Sequence, residues 1–464
     1  MEAKIAFYGA AQGVTGSSFL LQIRDHKILI DCGLFQGQES EKNQLPFPCK
    51  LQDIQYLIFT HAHIDHCGRY PCLVNQGFRG KVIATKPTFQ IAKIMLLDAA
   101  KVMKEHYKTL YKKSLRRGLE PPPPPLYDEY DVLESFKYFS VELAYHTPYI
   151  IDKEIKITFR DAGHILGSAF VEIIDLKKNK KILFSGDLGN KNKPIVRDYE
   201  LPPEDADYVL IETTYADRNH KTFEESKLEL LQVIKETCKK GGNVLIPTFA
   251  LERAQEILFV LREFYEKGEL PHCYIFLDSP LAIRATKIFK DNPEFFDEET
   301  YQIFQKKDPF NLPNLFLTED VEESKAINQV KSSAIIIAGN GTLSGGRILH
   351  HLKNNLWRPE CSLVFVGFQP KGTLGRKIVD GAEKIHLFGE EINVRSKVYT
   401  INGFSSHAGQ KELWEWISSI KNPEKIFLIH GEPEKMEIFK NLLSERYPSE
   451  KIYIPQLNEE VILY

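Results

Sequence analysis

Residues 60–66 read Thr-His-Ala-His-Ile-Asp-His, which places three histidines and an aspartate within six positions. They follow Tyr56, Leu57, Ile58 and Phe59, a short apolar run that reads as a buried strand. Gly68 and Pro71 break the pattern, so the cluster is expected on the irregular exit of that strand. A lone histidine beside a strand is ordinarily a satisfied core or surface residue. Four metal-binding side chains on one loop are different, because they cannot all be buried without partners. Imidazole and carboxylate suit zinc and its first-row neighbours. The spacing lets His61 and His63 serve one ion while Asp65 and His66 serve a second close by, the arrangement of two-metal hydrolysis.

The remaining sequence narrows the class. A chain of 464 residues has room for two or three domains. Net charge is −3, so there is no global basic field and a polyanionic partner would be held by local patches. No apolar run approaches the roughly 20 residues of a membrane span, so no membrane partner is expected. Met1 to Phe7 lacks a basic segment followed by an apolar one, so secretion is not expected. Seven cysteines, at 32, 49, 67, 72, 238, 273 and 361, form no CxxC pair. They are expected to be reduced thiols in a cytoplasmic protein, with Cys67 a packed thiol rather than a ligand.

Along the chain, apolar runs at 4–8 and 18–23 read as strands around the Gly-rich stretch 9–16, either a tight turn or a phosphate cradle. The strand at 27–30 ends in Asp31, expected to orient a metal-bound histidine or to cap the turn into Gly33. Later strands repeat the pattern, delivering His164 between glycines, then Asp187, then Glu212. One acid at a strand end is usually a cap; several suggest an α/β rim that gathers polar groups. Residues 86–117 read as one helix or two. Lys101, Lys104, Lys108, Lys112, Lys113, Arg116 and Arg117 recur at spacings of three and four, giving a basic face expected opposite Ile94, Leu97 and Leu110. Pro121–Pro125 is a spacer, and a helical piece is expected from Leu126. From about residue 216, helices at 224–239, 250–267 and 281–290 alternate with strands at 243–246, 273–277, 334–338 and 362–366, which suggests a parallel sheet in a second domain. GNGTLSGG at 339–346 precedes a helix and suits an oxyanion. His407 lies in FSSHA, and His430 ends a further apolar run before Gly431.

HAHIDH at 61–66, His164, Asp187 and Asp31 resemble the metallo-β-lactamase superfamily motifs. Glu212, His407 in FSSHAG and His430 in LIHGE resemble the additional motifs of the β-CASP nucleases, which include RNase J and the pre-mRNA 3′-end cleavage endonuclease. Asp278-Ser279-Pro280-Leu281-Ala282, residues 248–253 (TFALER) and residues 367–373 (GFQPKGT) match as well. The resemblance spans essentially the whole chain and no expected ligand is missing. It implies an α/β architecture, an αββα metallo-β-lactamase sandwich with an inserted α/β β-CASP domain whose parallel sheet is flanked by helices. The implied division is 1–215 and 391–464 for the lactamase domain and 216–390 for the β-CASP domain. The β-CASP domain would form a lid over a groove for a single strand. No RNA-binding extension is evident at either end, so the chain resembles a minimal two-domain form.

The resemblance also implies the chemistry. His61, His63 and His164 would hold one Zn2+, Asp65, His66 and His430 a second, with Asp187 bridging. The reaction would be two-metal hydrolysis of phosphodiester bonds in single-stranded RNA, with Asp65 orienting the attacking water. His407 would protonate the leaving 3′-oxygen while Glu212 holds its ring, and Asp31 would support the histidines from behind. Ser405, Ser406, Ser344, Gly345 and Gly346 are the candidates for substrate phosphate contacts. Histidine rather than an aliphatic residue at 430 matches the RNA-acting branches. Endonuclease action, with 5′-exonuclease action in addition, and a homodimer are left open. The competing readings are a hydrolase of small esters or thioesters on the same metal core, and a non-catalytic RNA-binding subunit.

Overall fold

In the strand Tyr208–Glu212 every residue is buried. Tyr208 and Leu210 belong to one apolar cluster, Val209 and Ile211 to another. Its parallel neighbours Lys180–Phe184 and Lys425–Ile429 divide the same way. Ile182, Phe184, Phe427 and Ile429 face the first cluster; Leu183, Ile426 and Leu428 face the second. Strands apolar on both faces need a sheet covered on both sides, and the computed structural model, which describes residues 2–464, supplies one.

The chain forms two compact units, Met1–Lys191 with Asp198–Asn219 and His407–Tyr464, and Asn192–Arg197 with His220–Ser406. The first unit holds two seven-stranded sheets. One runs in the order Glu460–Ile462, Ala3–Gly9, Ser18–Ile23, His26–Ile30, Tyr56–Ile58, Lys81–Ala84, Phe139–Glu142. The other runs Ile452–Tyr453, Lys425–Ile429, Tyr208–Glu212, Lys180–Phe184, Ala169–Asp175, Ile155–Asp161, Tyr149–Ile151. The first cluster joins them, because it also takes Ile5, Phe7, Phe19, Leu21, Ile28 and Ile30 from the first sheet. Helices Gln410–Ser418 and Pro433–Leu443 cover the second sheet with Leu413, Trp416, Ile417, Met436 and Phe439. Phe89, from the helix Lys86–Arg117, stacks on Phe139 of the first sheet at 4.5 Å between ring centroids. The layers are therefore α, β, β, α.

The second unit is built on a six-stranded, all-parallel sheet in the order Leu315–Leu317, Tyr274–Asp278, Ala334–Ala338, Val244–Pro247, Ser362–Phe365, Lys397–Thr400. Parallel pairs need crossovers, and helices such as Arg253–Glu266 and Pro280–Lys290 provide them. Because Lys397–Thr400 pairs with Ser362–Phe365, the contacts of this unit continue to Ser406, past the 390/391 division read from sequence.

Residues 86–117 form one uninterrupted helix, capped by Thr85 and closed by Gly118 at φ +63°. Its buried face is Phe89, Ile91, Ala92, Leu96 and Ala100. Ile94 and Leu97 do not lie opposite the basic face as expected: they are half-buried, and Ile94 stands seven residues, almost two turns, before Lys101 on the same side. The helical piece expected at Leu126 begins at Glu129, after the Asp128 cap.

Phe427 is fully buried between the two sheets, with its ring 5.3 Å from Phe7 and 6.0 Å from Tyr453. Phe427→Ala is expected to cost about 3–5 kcal/mol of stability, read as a lower midpoint in urea unfolding. An unchanged midpoint would contradict this packing.

Candidate metal centre

Asp31 is the first fixed point. It follows the strand His26–Ile30 at φ +59° and is buried. It accepts hydrogen bonds from Thr60 N and Thr60 Oγ1, both at 2.8 Å, and lies 2.8 Å from His66 Nδ1. Thr60 Oγ1 is also 3.1 Å from His61 Nδ1. With their Nδ1–H groups so engaged, His61 and His66 are left with the Nε2 lone pair as a possible ligand. Asp65 and His66 sit not on an irregular loop but in one helical turn, Ile64–Cys67, for which His63 is the N-cap residue. The turn closes because His66 N and Cys67 N donate to His63 O at 2.9 and 3.0 Å.

Two sets of donor atoms converge. In the first, His63 Nδ1 lies 3.1 Å from both His61 Nε2 and His164 Nε2. Asp187 Oδ2 is 3.6 Å from each of those two Nε2 atoms. Around an ion with bonds of about 2.0–2.1 Å, tetrahedral ligand atoms are roughly 3.3–3.4 Å apart, close to this spacing. Burial pushes the His61 imidazole well below its ordinary range and His63 down to about 4, so both are neutral at neutral pH. One imidazole proton on His63 cannot satisfy both neighbours; a cation among the lone pairs can.

In the second set, His66 Nε2 is 3.3 Å from Asp187 Oδ1 and 4.0 Å from Asp65 Oδ2. His430 Nε2 is 3.5 Å from Asp65 Oδ2, while its Nδ1 is 3.0 Å from Thr214 Oγ1. Asp187 thus turns Oδ2 to the first set and Oδ1 to the second. His66 Nε2, His430 Nε2 and Asp187 Oδ1 are buried without a hydrogen-bond partner. Orphaned polar atoms at a buried site need an explanation, and the chemistry of both sets fits a metal ion.

The charges balance through the same contacts. Burial opposes ionisation of Asp187, but the His430 and His66 imidazoles outweigh it and hold the carboxyl well below the usual range. Burial likewise works against Asp65, which His430 and His66 nevertheless bring down to about 2. In His66 the carboxylates of Asp187 and Asp31 overcome burial and raise the imidazole; in His430 those of Asp187 and Asp65 do so.

The fold explains the convergence. Asp187, Glu212 and His430 sit at the C-terminal ends of three adjacent parallel strands. His164 follows Ile155–Asp161, and its backbone N–H donates to Ser168 Oγ at 3.0 Å. His407 is set against the same rim: Ala408 N donates to Leu188 O at 2.8 Å. Its Nδ1 is 3.5 Å from Glu212 Oε1 and 3.9 Å from Asp187 Oδ2. Glu212 is buried and fixed by the N–H groups of Leu188 at 2.9 Å and Thr214 at 3.1 Å. His407 keeps 23% of its side chain exposed, and with the partly exposed Asp65 it joins the buried cluster to solvent-facing space.

Comparison with known proteins agrees with this arrangement. Residues 20–201 match the metallo-β-lactamase superfamily domain, 254–378 the β-CASP domain, and 391–455 the Zn-dependent metallo-hydrolase RNA specificity domain. The chain is 41% identical to "Ribonuclease TTHA0252" of Thermus thermophilus over 445 residues, covering 96% of each. The chain belongs to the β-CASP family of the metallo-β-lactamase superfamily. It is also 31% identical to the transcription termination factor FttA of Methanocaldococcus jannaschii, covering 97% of this chain and 70% of that one. Among solved structures, a protein of unknown function from Enterococcus faecalis V583 shares the fold, with a TM-score of 0.57 at 14% identity over the full length of both chains.

All seven expected metal ligands, with Asp31, Glu212 and His407, come together in this β-CASP protein's first unit. The five expected phosphate contacts lie in its second unit. There Ser406 Oγ accepts a 3.5 Å hydrogen bond from Arg253, and Ser405 is buried like Ser406. The loop 339–346 folds on itself, with Asn340 Oδ1 accepting from Thr342 N and Oγ1 at 2.8 and 2.9 Å; Ser344 and Gly346 are exposed. Thr60, Thr214 and Ser168, which fix His61, His430 and His164, were not singled out by the sequence. The only signal was a hydroxyl beside each motif.

Gly33 supports the helical turn from below: a Cβ there would fall 1.6 Å from Asp65 O. Gly33→Ala is therefore expected to displace Asp65 and cut metal retention on dialysis. Gly37→Ala, at φ +60° with nothing within 4 Å, is expected to cost only about 1 kcal/mol and keep the metal. Equal metal content in the two variants would contradict this support.

Proposed function

We propose that the protein is a zinc-dependent ribonuclease that hydrolyses phosphodiester bonds in single-stranded RNA. The observation that carries the reading is Asp187, whose two oxygens face two donor sets within reach of the His407–Glu212 pair. His61, His63 and His164 would hold one zinc ion, Asp65, His66 and His430 the other, with Asp187 shared. When bound, zinc supplies Lewis acidity, making water a better nucleophile near neutral pH and offsetting charge on the phosphate.

The chain's own residues do the rest. Asp65 is ionised at neutral pH and accepts a hydrogen bond from the attacking water, aiming it at phosphorus. His407, exposed on one side, reaches the leaving oxygen and donates its proton there. Glu212, immobilised by two backbone N–H groups, orients the His407 ring through Nδ1. Asp31 and Thr60 hold His61 and His66 in the tautomer that leaves Nε2 free. RNA as the substrate is supported by the likeness to a protein named a ribonuclease and by the RNA specificity domain match. Seven free cysteines support a cytoplasmic setting, and no helix among the described residues is long and apolar enough to cross a membrane.

His407→Ala is expected to keep the wild-type metal content, measured by mass spectrometry of the dialysed protein, and to lose about 100-fold or more in RNA cleavage. Cleavage at the wild-type rate would remove His407 from the reaction. Hydrolysis of a thioester panel without hydrolysis of RNA would overturn the ribonuclease reading itself.

A further inference from the structure

The helix Lys86–Arg117 outruns the core it packs on. Its last buried residue is Ala100, and none from Lys101 to Arg117 is buried. At 1.5 Å per residue, this is about 25 Å of helix covered on one face only, where Met103, Tyr107, Leu110 and Ser114 are half-buried. This half is nonetheless finished as a helix. Gly118 closes it in the left-handed region, with Gly118 N donating to Leu115 O at 3.2 Å and Leu119 N to Ser114 O at 3.0 Å. Its first turn starts at the metal centre's own loop: Thr85 Oγ1 and Thr88 Oγ1 donate to Gly167 O, three residues after His164, at 2.7 and 3.0 Å.

The exposed half carries seven cations and one acid, Glu105, in a chain of net charge −3. Lys101, Lys104, Lys108, Lys112 and Arg116 are spaced by three, four, four and four, so they form one stripe along the helix. Lys104 pairs with Glu129 and Lys108 with Glu105, both in exposed pairs that water weakens. No carboxylate among the described residues forms an ion pair with Lys101, Lys112 or Arg116. Tyr107 and Tyr111 border the stripe, three residues after Lys104 and Lys108, with their rings 5.8 Å apart. The exposed Val102 and Leu115 lie about 140° apart around the axis, so they form no apolar seam for a second helix. Cations along one line with aromatic rings at their edge fit a single nucleic acid strand, the phosphates on the cations and bases on the rings.

We propose that residues 101–117 form an RNA-binding arm that holds the substrate strand away from the cleaved bond. The proposal rests on the ribonuclease reading and adds the surface that makes long RNA a better substrate than short.

The test compares the wild-type protein with a variant carrying Lys101→Gln, Lys108→Gln, Lys112→Gln and Arg116→Gln. The probes are a long oligouridylate and a dinucleotide-sized phosphodiester, each over a range of salt concentrations. Four lost phosphate contacts should flatten the slope of log kcat/KM against log salt on the long RNA by about two to three, and lower kcat/KM on the order of a hundredfold at low salt. Cleavage of the short phosphodiester should be unchanged. A second variant exchanging the same lysines for arginine and Arg116 for lysine should keep the wild-type slope, which a merely structural effect would not predict. An unchanged slope in the glutamine variant overturns the proposal and leaves an acidic protein surface as the arm's partner. If the wild type hydrolyses neither probe, the ribonuclease reading fails. Fluorescence anisotropy with the same oligouridylate then judges the arm alone: a flatter slope supports it, an equal slope overturns it.

Discussion

Asp187 is the constraint on which the rest of the site depends. A carboxylate buried at 2% exposure is costly unless charge and hydrogen bonds compensate it. Here five imidazoles surround it, His61 and His164 on one oxygen, His66 and His430 on the other, His407 at 3.9 Å. The compensation is mutual, since the carboxylates of Asp187, Asp31 and Asp65 raise His66 and His430 while those rings keep Asp187 ionised. Removing one member leaves a buried charge facing a gap, so the cluster forms as a whole.

The strand architecture makes that cluster affordable. Three parallel strands bury both faces in apolar side chains, and at their C-terminal ends Asp187, Glu212 and His430 emerge side by side. The other sheet contributes Asp31 and, through Thr60, the histidine turn. At the same rim two residues, Asp31 and His430, adopt positive φ just after a strand. This is where side chains have to be aimed rather than simply paired.

Much of this was legible in the sequence. The HAHIDH spacing, and several acids placed after apolar runs, point to a rim that gathers polar groups, because strands buried on both faces leave such groups only their ends. The parallel sheet of the second unit followed from strands alternating with helices. What the sequence did not show lies in local hydrogen bonding. Asp65 and His66 were placed on an irregular exit, yet His63 caps a helical turn there, since the N–H groups of His66 and Cys67 reach back to its carbonyl. Thr60 and Thr214 carry a role that no periodicity signals. The strand Lys397–Thr400 joins the second unit's sheet because pairing is decided by neighbours distant in sequence. The packed face of the long helix differed too, because which side meets the sheet is fixed by Phe139 and not by the helix's own pattern.

The central claim is that one buried carboxylate joins two metal positions. The most direct measurement is an anomalous difference map, collected at the zinc edge from crystals of the zinc-loaded protein. The account predicts two peaks, one on each side of Asp187, the first among His61, His63 and His164 and the second among Asp65, His66 and His430. A single peak, or peaks away from Asp187, would contradict it.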